Sequence, residues 1–293
     1  MTLSLAASSP PLHGQELAPR VVRFQTTDGM EIVGDFLEAR KSAQPAPAAL
    51  LIHMFRTDRS TWKPLLAPLH AAGFVVLAID LRGHGDSARA QWSELKPRLE
   101  RQDPGVFRDM LRDVEAAHVW LLGQDGVDKA RFVVVGASVG ASLAIDYAAR
   151  DRSVDGVVML TPGTGYMGLD SVAPIMRYGA RPVLLVSVED DRRAVDLLAK
   201  MNPGATAHVE GRGTGHGTRI FEVVPGMTDR VAEFLSRSAG PHSKDSVVSV
   251  LDGDEYFRDV AQLKKRRKET KDSDIRWYSS TAEAEARGLK RTK

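Results

Sequence analysis

Cysteine is absent from all 293 residues of the chain. This absence excludes disulfides, thiolate zinc sites and a cysteine nucleophile. No apolar run approaches the ~20 residues that a membrane-spanning helix needs. The formal net charge is only +2, so the chain as a whole gives no bulk signal for nucleic acid or for a membrane surface. Apolar residues at 43% and charged residues at 27% are ordinary for a globular protein.

Residues 1–20 are predicted to form a flexible leader. They contain a weakly apolar piece without the basic segment that opens a signal peptide. We therefore expect a cytoplasmic protein, with export after removal of a signal peptide as the alternative. The absence of cysteine fits any compartment and does not decide between them.

Apolar strands alternate with helical stretches from residue 21 onward. Asp28-Gly29 lies between two β-prone runs and predicts a hairpin of 21–24 with 30–37. Helices are predicted at 60–72 with Ser60 as a possible N-cap, from near Pro104 to 121, at 141–149 and 193–200, and at 220–236 with an interruption at Pro225 and Gly226. Residues 161–180 are predicted to be a loop. Strands are predicted at 48–52, 74–79, 132–135, 156–160, 182–188 and 205–209. This alternation predicts an α/β fold with a mostly parallel sheet and helices on both faces.

A serine turn lies at the centre of this pattern. Gly136-Ala-Ser-Val-Gly140 fits G-x-S-x-G and separates an apolar strand from a run of helix formers. A sharp strand-to-helix turn needs small residues two positions before and after the serine, and it exposes the hydroxyl above the sheet. Ser138 is therefore the candidate nucleophile. The N–H of Val139, at the start of the helix, can face a developing oxyanion.

A serine nucleophile needs a base and an acid. His216 lies in a glycine-rich loop after the last strand, whereas His208 lies within that strand and fits less well. Glu189, Asp190 and Asp191 follow the strand before it, and any of the three could be the acid. We favour Asp191 and keep Asp190 as the alternative.

These motifs together resemble those of the α/β-hydrolase superfamily, near the lid-less esterases similar to dienelactone hydrolase. The resemblance covers residues 21–237, about four-fifths of the chain. Its motifs are His53-Met-Phe-Arg56, Asp80-Leu-Arg-Gly-His-Gly-Asp-Ser87, Gly136-Ala-Ser-Val-Gly140, Val188-Glu-Asp-Asp191 and Gly215-His-Gly217. The resemblance implies that Asp191 is the acid and that the N–H of Phe55 is the second oxyanion donor.

The sequence departs from the family pattern in two places. Met54 stands where the common pattern has glycine, which predicts an altered oxyanion loop. Dienelactone hydrolases use cysteine as nucleophile, whereas this chain has Ser138. About 20 residues separate the strand that ends at 160 from the strand at 182, which leaves no room for a large cap domain. The expected site is open, with candidate lining residues Met54, Trp62, Tyr166, Met167 and Met176.

The resemblance implies hydrolysis of a small-molecule carboxylic ester through an acyl-enzyme on Ser138, without a cofactor or a metal. An acyltransferase or perhydrolase using the same site is one alternative. The other is a non-catalytic binding protein that uses a basic C-terminal tail. The sequence predicts no oligomeric state.

The composition changes after residue 237. Residues 238–246 are predicted to be a linker, and 247–293 a small α+β module. Residues 241–293 carry 13 Lys or Arg and 10 Asp or Glu, including the basic run 264–268. A solvated face is the simplest interpretation of that run, and nucleic-acid binding is the sharper one. The tail weakly resembles an Ada-type metal-binding module, but Phe257, Ala261 and Thr292 stand at the metal-ligand positions.

Overall fold

A computed structural model describes residues 17–40, 45–88, 92–240, 247–250, 255–257, 260–268, 275–278, 281–286 and 289–292. Residues 1–16 of the leader predicted at 1–20, and residues 241–246 of the linker predicted at 238–246, lie outside the described residues. An eight-stranded sheet forms the body of the protein. Its strands are β1 (Arg20–Gln25), β2 (Glu31–Leu37), β3 (Ala46–Ile52), β4 (Val75–Ile79), β5 (Val127–Ala137), β6 (Val154–Leu160), β7 (Val183–Ser187) and β8 (Ala205–Val209).

The strands lie in the order β1-β2-β4-β3-β5-β6-β7-β8. The pairs β1–β2 and β2–β4 are antiparallel, and all the other pairs are parallel. Gly29 turns the β1–β2 hairpin with a φ of 80°, a conformation that glycine adopts without steric cost. The predicted hairpin and mostly parallel sheet are therefore confirmed.

Helices cover both faces of this sheet. They are α1 (Lys63–Ala71), α2 (Trp92–Glu100), α3 (Pro104–Asp109), α4 (Leu111–Leu122), α5 (Val139–Arg150), α6 (Val172–Tyr178), α7 (Arg192–Met201), α8 (Ile220–Val223) and α9 (Met227–Ser238). None of the helices in the described part of the chain is long and apolar enough to cross a membrane.

Alternating strand residues feed two apolar cores, because successive side chains in a strand point to opposite faces. Leu50 and Ile52 of β3 pack with helices α2 to α7. Ala49 and Leu51 of the same strand pack with α1, α8 and α9 on the opposite face. Every residue of β3 is buried, as expected for a central strand covered on both sides.

Three predicted elements differ from the structure. The side chain of Asp58, rather than Ser60, caps the turn before α1, accepting the N–H of Ser60. The helix predicted from Pro104 breaks at Met110 into α3 and α4. The predicted loop 161–180 contains α6.

The C-terminal residues form a second, four-stranded sheet. Its strands are β9 (Val247–Val250), β10 (Glu255–Phe257), β11 (Ile275–Tyr278) and β12 (Lys290–Arg291), in the order β11-β9-β10-β12, and its helices are α10 (Val260–Arg266) and α11 (Thr281–Ala286). The basic run 264–268 is exposed, in the last turn of α10 and the two residues after it. Phe257 and Thr292 line a common cleft with Gln262, Lys265 and Arg266. The resemblance to a metal-binding module stays a prediction.

Candidate active site

Ser138 occupies the turn between β5 and α5. Its φ of 52° and ψ of −115° are a strained conformation for a residue with a side chain. A Cβ at Gly136 would overlap the carbonyl of Gly140, and one at Gly140 would overlap the carbonyl of Ile52. Both glycines are therefore needed for the strand and helix to approach this closely. The Ser138 side chain ends up at the carboxyl edge of the sheet, where parallel α/β sheets place their ligands.

The loop that follows β8 places His216 beside this serine. His216 Nε2 lies 2.8 Å from Ser138 Oγ, and Nδ1 lies 2.8 Å from Asp191 Oδ2. A carboxylate can only accept a hydrogen bond, so it selects the tautomer with the proton on Nδ1. The lone pair of Nε2 then faces the serine hydroxyl, as a general base requires.

The three acids after β7 have different partners. Asp191 contacts His216, whereas Asp190 accepts the main-chain N–H of Gly213 at 2.6 Å. Glu189 forms an ion pair with Arg192 at 2.8 Å. The structure thus brings Asp191 into the hydrogen-bonded chain and leaves Asp190 to fix the start of the histidine loop.

The site is open to solvent. The side chains of His216 and Asp191 are 40% and 35% exposed, whereas Ser138 is buried apart from a small fraction of its surface. Water can therefore reach the base directly.

The carbonyl of Met54 is held by two side chains. His53 Nδ1 donates to it at 2.7 Å and Thr57 Oγ1 donates to it at 2.8 Å. A trans peptide points its C=O and N–H in opposite directions, so these bonds fix the direction of the Phe55 N–H. Sequence reasoning found Phe55 through the family resemblance but missed His53 and Thr57 as its supports.

His53 is suited to this structural role because it stays neutral. The N–H of Leu81 donates to His53 Nε2 at 3.0 Å, which leaves Nδ1 as the donor to Met54. Burial lowers the pKa of His53 to about 3, since desolvation disfavours the imidazolium. The imidazole therefore keeps one tautomer at neutral pH.

The N–H groups of Phe55 and Val139 are the two candidate oxyanion donors. Within the described part of the chain, neither donates to another main-chain group outside a regular helix or strand. Val139 is the first residue of α5, where main-chain N–H groups have no partner inside the helix. Their role as oxyanion donors stays a prediction.

Met54 packs against the histidine loop. A Cβ at Gly217 would overlap the Met54 sulfur, and Gly217 adopts a φ of 62°. The residue that replaces the family glycine thus fills the space beside His216.

The other candidate lining residues lie in different places. The ring of Tyr166 meets that of His216 edge-on, with centroids 6.0 Å apart. Met167 is half-buried against the core. Trp62 is fully buried and adds nothing to the open surface of the site. Met176, on α6, is 56% exposed. Tyr166 is therefore the lining candidate whose ring contacts His216.

The Asp80–Ser87 motif forms a support for the loop after β3. Arg59 binds the carboxylates of Asp35, Asp80 and Asp86. Asp80 is buried and also accepts the N–H groups of Arg59 and Asp86. A Cβ at Gly85 would overlap this carboxylate. The motif therefore holds the segment near the oxyanion loop, and the bonds of the Asp80 carboxylate go to Arg59 and to Asp86 within the motif rather than to Ser138.

Comparison with known proteins identifies the family of the chain. A sequence profile described as "Alpha/beta hydrolase family" matches residues 49–284, most of the chain. The chain belongs to this family. The turn at Ser138 and the alternation of strands with helices had predicted this family.

This α/β hydrolase is similar in sequence to a curated protein and in fold to several solved structures. An uncharacterized protein of Mycobacterium tuberculosis is 29% identical over 247 residues, covering 76% of this chain and 81% of the relative. An esterase of Pyrococcus furiosus has a similar fold, with a TM-score of 0.59, 17% identity, and coverage of 79% of this chain and 97% of the esterase. An enol-lactonase from Burkholderia xenovorans gives a TM-score of 0.58 and 16% identity, covering 73% of this chain and all of the lactonase. At these identities the two structures show the fold alone.

Proposed function

We propose that the protein is a serine hydrolase that cleaves carboxylic esters. The observation that carries this proposal is the hydrogen-bonded chain from Ser138 through His216 to Asp191. This hydrogen-bonded chain stands at the carboxyl edge of the sheet, and the N–H groups of Phe55 and Val139 are the proposed oxyanion donors. A weak nucleophile, its base and the acid that orients the base are then in contact, as acyl transfer requires.

The proposed reaction has two halves. Ser138 Oγ attacks the ester carbonyl while His216 Nε2 takes its proton, and the N–H groups of Phe55 and Val139 stabilise the oxyanion. His216 then gives the proton to the oxygen of the leaving alcohol. The ester C–O bond breaks, the alcohol departs, and the acyl group stays on Ser138 Oγ. Water, deprotonated by His216 Nε2, attacks the acyl carbon, and the bond from that carbon to Ser138 Oγ breaks. His216 returns the proton to Oγ, which restores Ser138 and releases the carboxylic acid. Asp191 holds the imidazole and stabilises its cation throughout.

Solvent exposure favours water over another acceptor. An acyltransferase or perhydrolase must exclude water from the acyl-enzyme or outcompete it. Here the side chain of His216 is 40% exposed. The non-catalytic alternative predicts that a member of the triad is lost or displaced, whereas all three side chains are present and in contact. Binding of nucleic acid by the basic run stays a lower-ranked prediction.

The substrates are proposed to be small or extended esters, including lactones. The enol-lactonase and the esterase have a similar fold. In the described residues between β6 and β7 the chain adds only α6 and one short helical turn, which leaves room for an extended acyl chain. Similarity to the dienelactone hydrolases is part of this proposal, with Ser138 in place of the cysteine nucleophile of those enzymes.

The proposed function is tested by offering short esters with and without an alcohol acceptor. We expect the purified protein to hydrolyse p-nitrophenyl acetate and butyrate, releasing free acid and p-nitrophenol in equal amounts. Added methanol is expected to divert only a minor part of the acyl group, because water reaches the site. Predominant transfer to the alcohol would favour the acyltransferase, and no turnover of any ester or lactone would contradict the proposal.

A further inference from the structure

Thr161, the residue directly after β6, has an unusual backbone. Its φ is 45°, in the left-handed region that β-branched residues rarely adopt. The residue is fully buried, so this strain is not a feature of a loose surface loop. Strain of this kind persists only where the surrounding structure holds it, and it concentrates at functional sites.

Thr161 and its preceding carbonyl contact all three segments that carry the triad. The carbonyl of Leu160 accepts the N–H of Ser138 at 2.9 Å, and the N–H of Thr161 donates to the carbonyl of Val186 at 2.6 Å. The hydroxyl of Thr161 accepts the N–H of Gly217 at 2.7 Å. The serine turn, the strand before the acids and the histidine loop therefore meet at two consecutive residues, Leu160 and Thr161.

The third of these bonds differs in kind from the other two. The bonds to Ser138 and Val186 use main-chain groups only. The first uses the carbonyl of Leu160, and the second uses the N–H of Thr161, which any residue except proline could supply. The bond to Gly217 needs a side-chain acceptor at residue 161. Gly217 is buried and directly follows His216, so this bond ties the histidine loop to the end of a central strand.

We propose that Thr161 is a positioning residue for the catalytic histidine, an inference that rests on the proposed function. Its hydroxyl fixes the peptide next to His216, and so keeps Nε2 within 2.8 Å of Ser138 Oγ. Asp190 fixes the far end of the same loop through Gly213. Displacement of a reacting group by about 1 Å can cost about 100-fold in rate, so even a small shift of this loop matters.

Three variants separate the hydroxyl from the strain. Thr161→Val keeps the shape but removes the acceptor, and Thr161→Ser keeps the acceptor. Thr161→Gly removes the acceptor and also relieves the backbone strain of the left-handed φ. It therefore keeps the test possible if the valine variant fails to fold. We expect kcat to fall about 10- to 100-fold in the valine and glycine variants, with KM changed less than about threefold. The serine variant is expected to stay within about threefold of the parent.

Two measurements besides turnover make the test specific. Thermal unfolding reports stability, and the low-field proton resonance of the His216–Asp191 hydrogen bond reports the position of the imidazole without substrate. We expect this resonance in the parent and in Thr161→Ser, and its shift or loss in Thr161→Val and Thr161→Gly. A residue with a purely structural role would change unfolding and leave the resonance and kcat of the folded protein unchanged.

The outcomes are distinguishable from failure of the proposed function. If the parent hydrolyses no ester, the proposed function fails, while the resonance still decides whether Thr161 positions His216. Normal kcat and an unshifted resonance in the valine or glycine variant would overturn the inference. Equal losses in all three variants, serine included, would overturn it as well, because the hydroxyl would then not be the cause.

Discussion

Replacement of Ser138 by alanine is expected to lower kcat for p-nitrophenyl butyrate by about 10⁶-fold. Alanine leaves His216 and the two N–H groups in place but removes the only atom that can form the acyl-enzyme. The residual rate above that in water would come from binding and oxyanion stabilisation alone. Initial rates at saturating substrate, on protein checked by circular dichroism, measure the effect.

Ser142 supplies a matched control for this variant. It lies one turn further along the same helix, is fully buried, and accepts a hydrogen bond from Ser171 Oγ at 2.9 Å. Ser142→Ala is expected to lower stability slightly, by about 1 kcal/mol, and to leave kcat near that of the parent. A Ser138→Ala protein that retains a tenth of the activity would remove Ser138 from the mechanism.

Asparagine in place of Asp191 is expected to lower kcat by about 10⁴-fold. The amide can turn its NH₂ toward the imidazole, and it then favours the tautomer with the proton on Nε2. That proton would face Ser138 Oγ, so the base could no longer accept the serine proton. The measurement is kcat for p-nitrophenyl butyrate at saturating substrate, on protein checked by circular dichroism.

Asp190 is the neighbouring acid and the natural control. Its carboxylate accepts the N–H of Gly213 rather than a histidine proton. The oxygen of an asparagine can accept the same bond, so Asp190→Asn is expected to stay within about threefold of the parent. A larger loss in Asp190→Asn than in Asp191→Asn would reverse the assignment of the acid.

The fold was predictable because its signals are local and repeated. Mostly apolar runs of four to seven residues marked the strands of the parallel part of the sheet, and the turn at Ser138 linked one of them to a helix. The two-sided core then follows from the general rule that a parallel sheet is covered by helices on both faces, whereas the strand order was not predicted and comes from the structure. Lengths were less accurate: β5 begins at Val127, five residues before the predicted strand, where charged residues hide its start.

Contacts between distant segments were harder to predict. Three adjacent acids follow β7, and only the folded loop shows that Asp191 contacts His216. Met54 was expected to alter the oxyanion loop through its departure from glycine. In the structure its carbonyl is held by His53 and Thr57, and its side chain packs on Gly217.

Thr161 carried one signal that sequence reasoning did not use. Polar residues directly after buried strands tend to lie at the active-site edge of a parallel sheet. By this rule Thr161 belongs with His53, Asp80 and the acids after β7. Its positive φ and its bond to Gly217 depend on segments 56 residues apart, and no local pattern encodes such a contact.

Reaction with a fluorophosphonate probe tests the central claim most directly, because the probe needs an activated serine and no knowledge of the natural substrate. The native protein is expected to gain one adduct, and tryptic fragmentation of residues 132–150 is expected to place it on Ser138 rather than Ser142. Heat-denatured protein should gain none, and Asp191→Asn should react far more slowly. An unlabelled native protein, or an adduct on any other residue, would contradict the account.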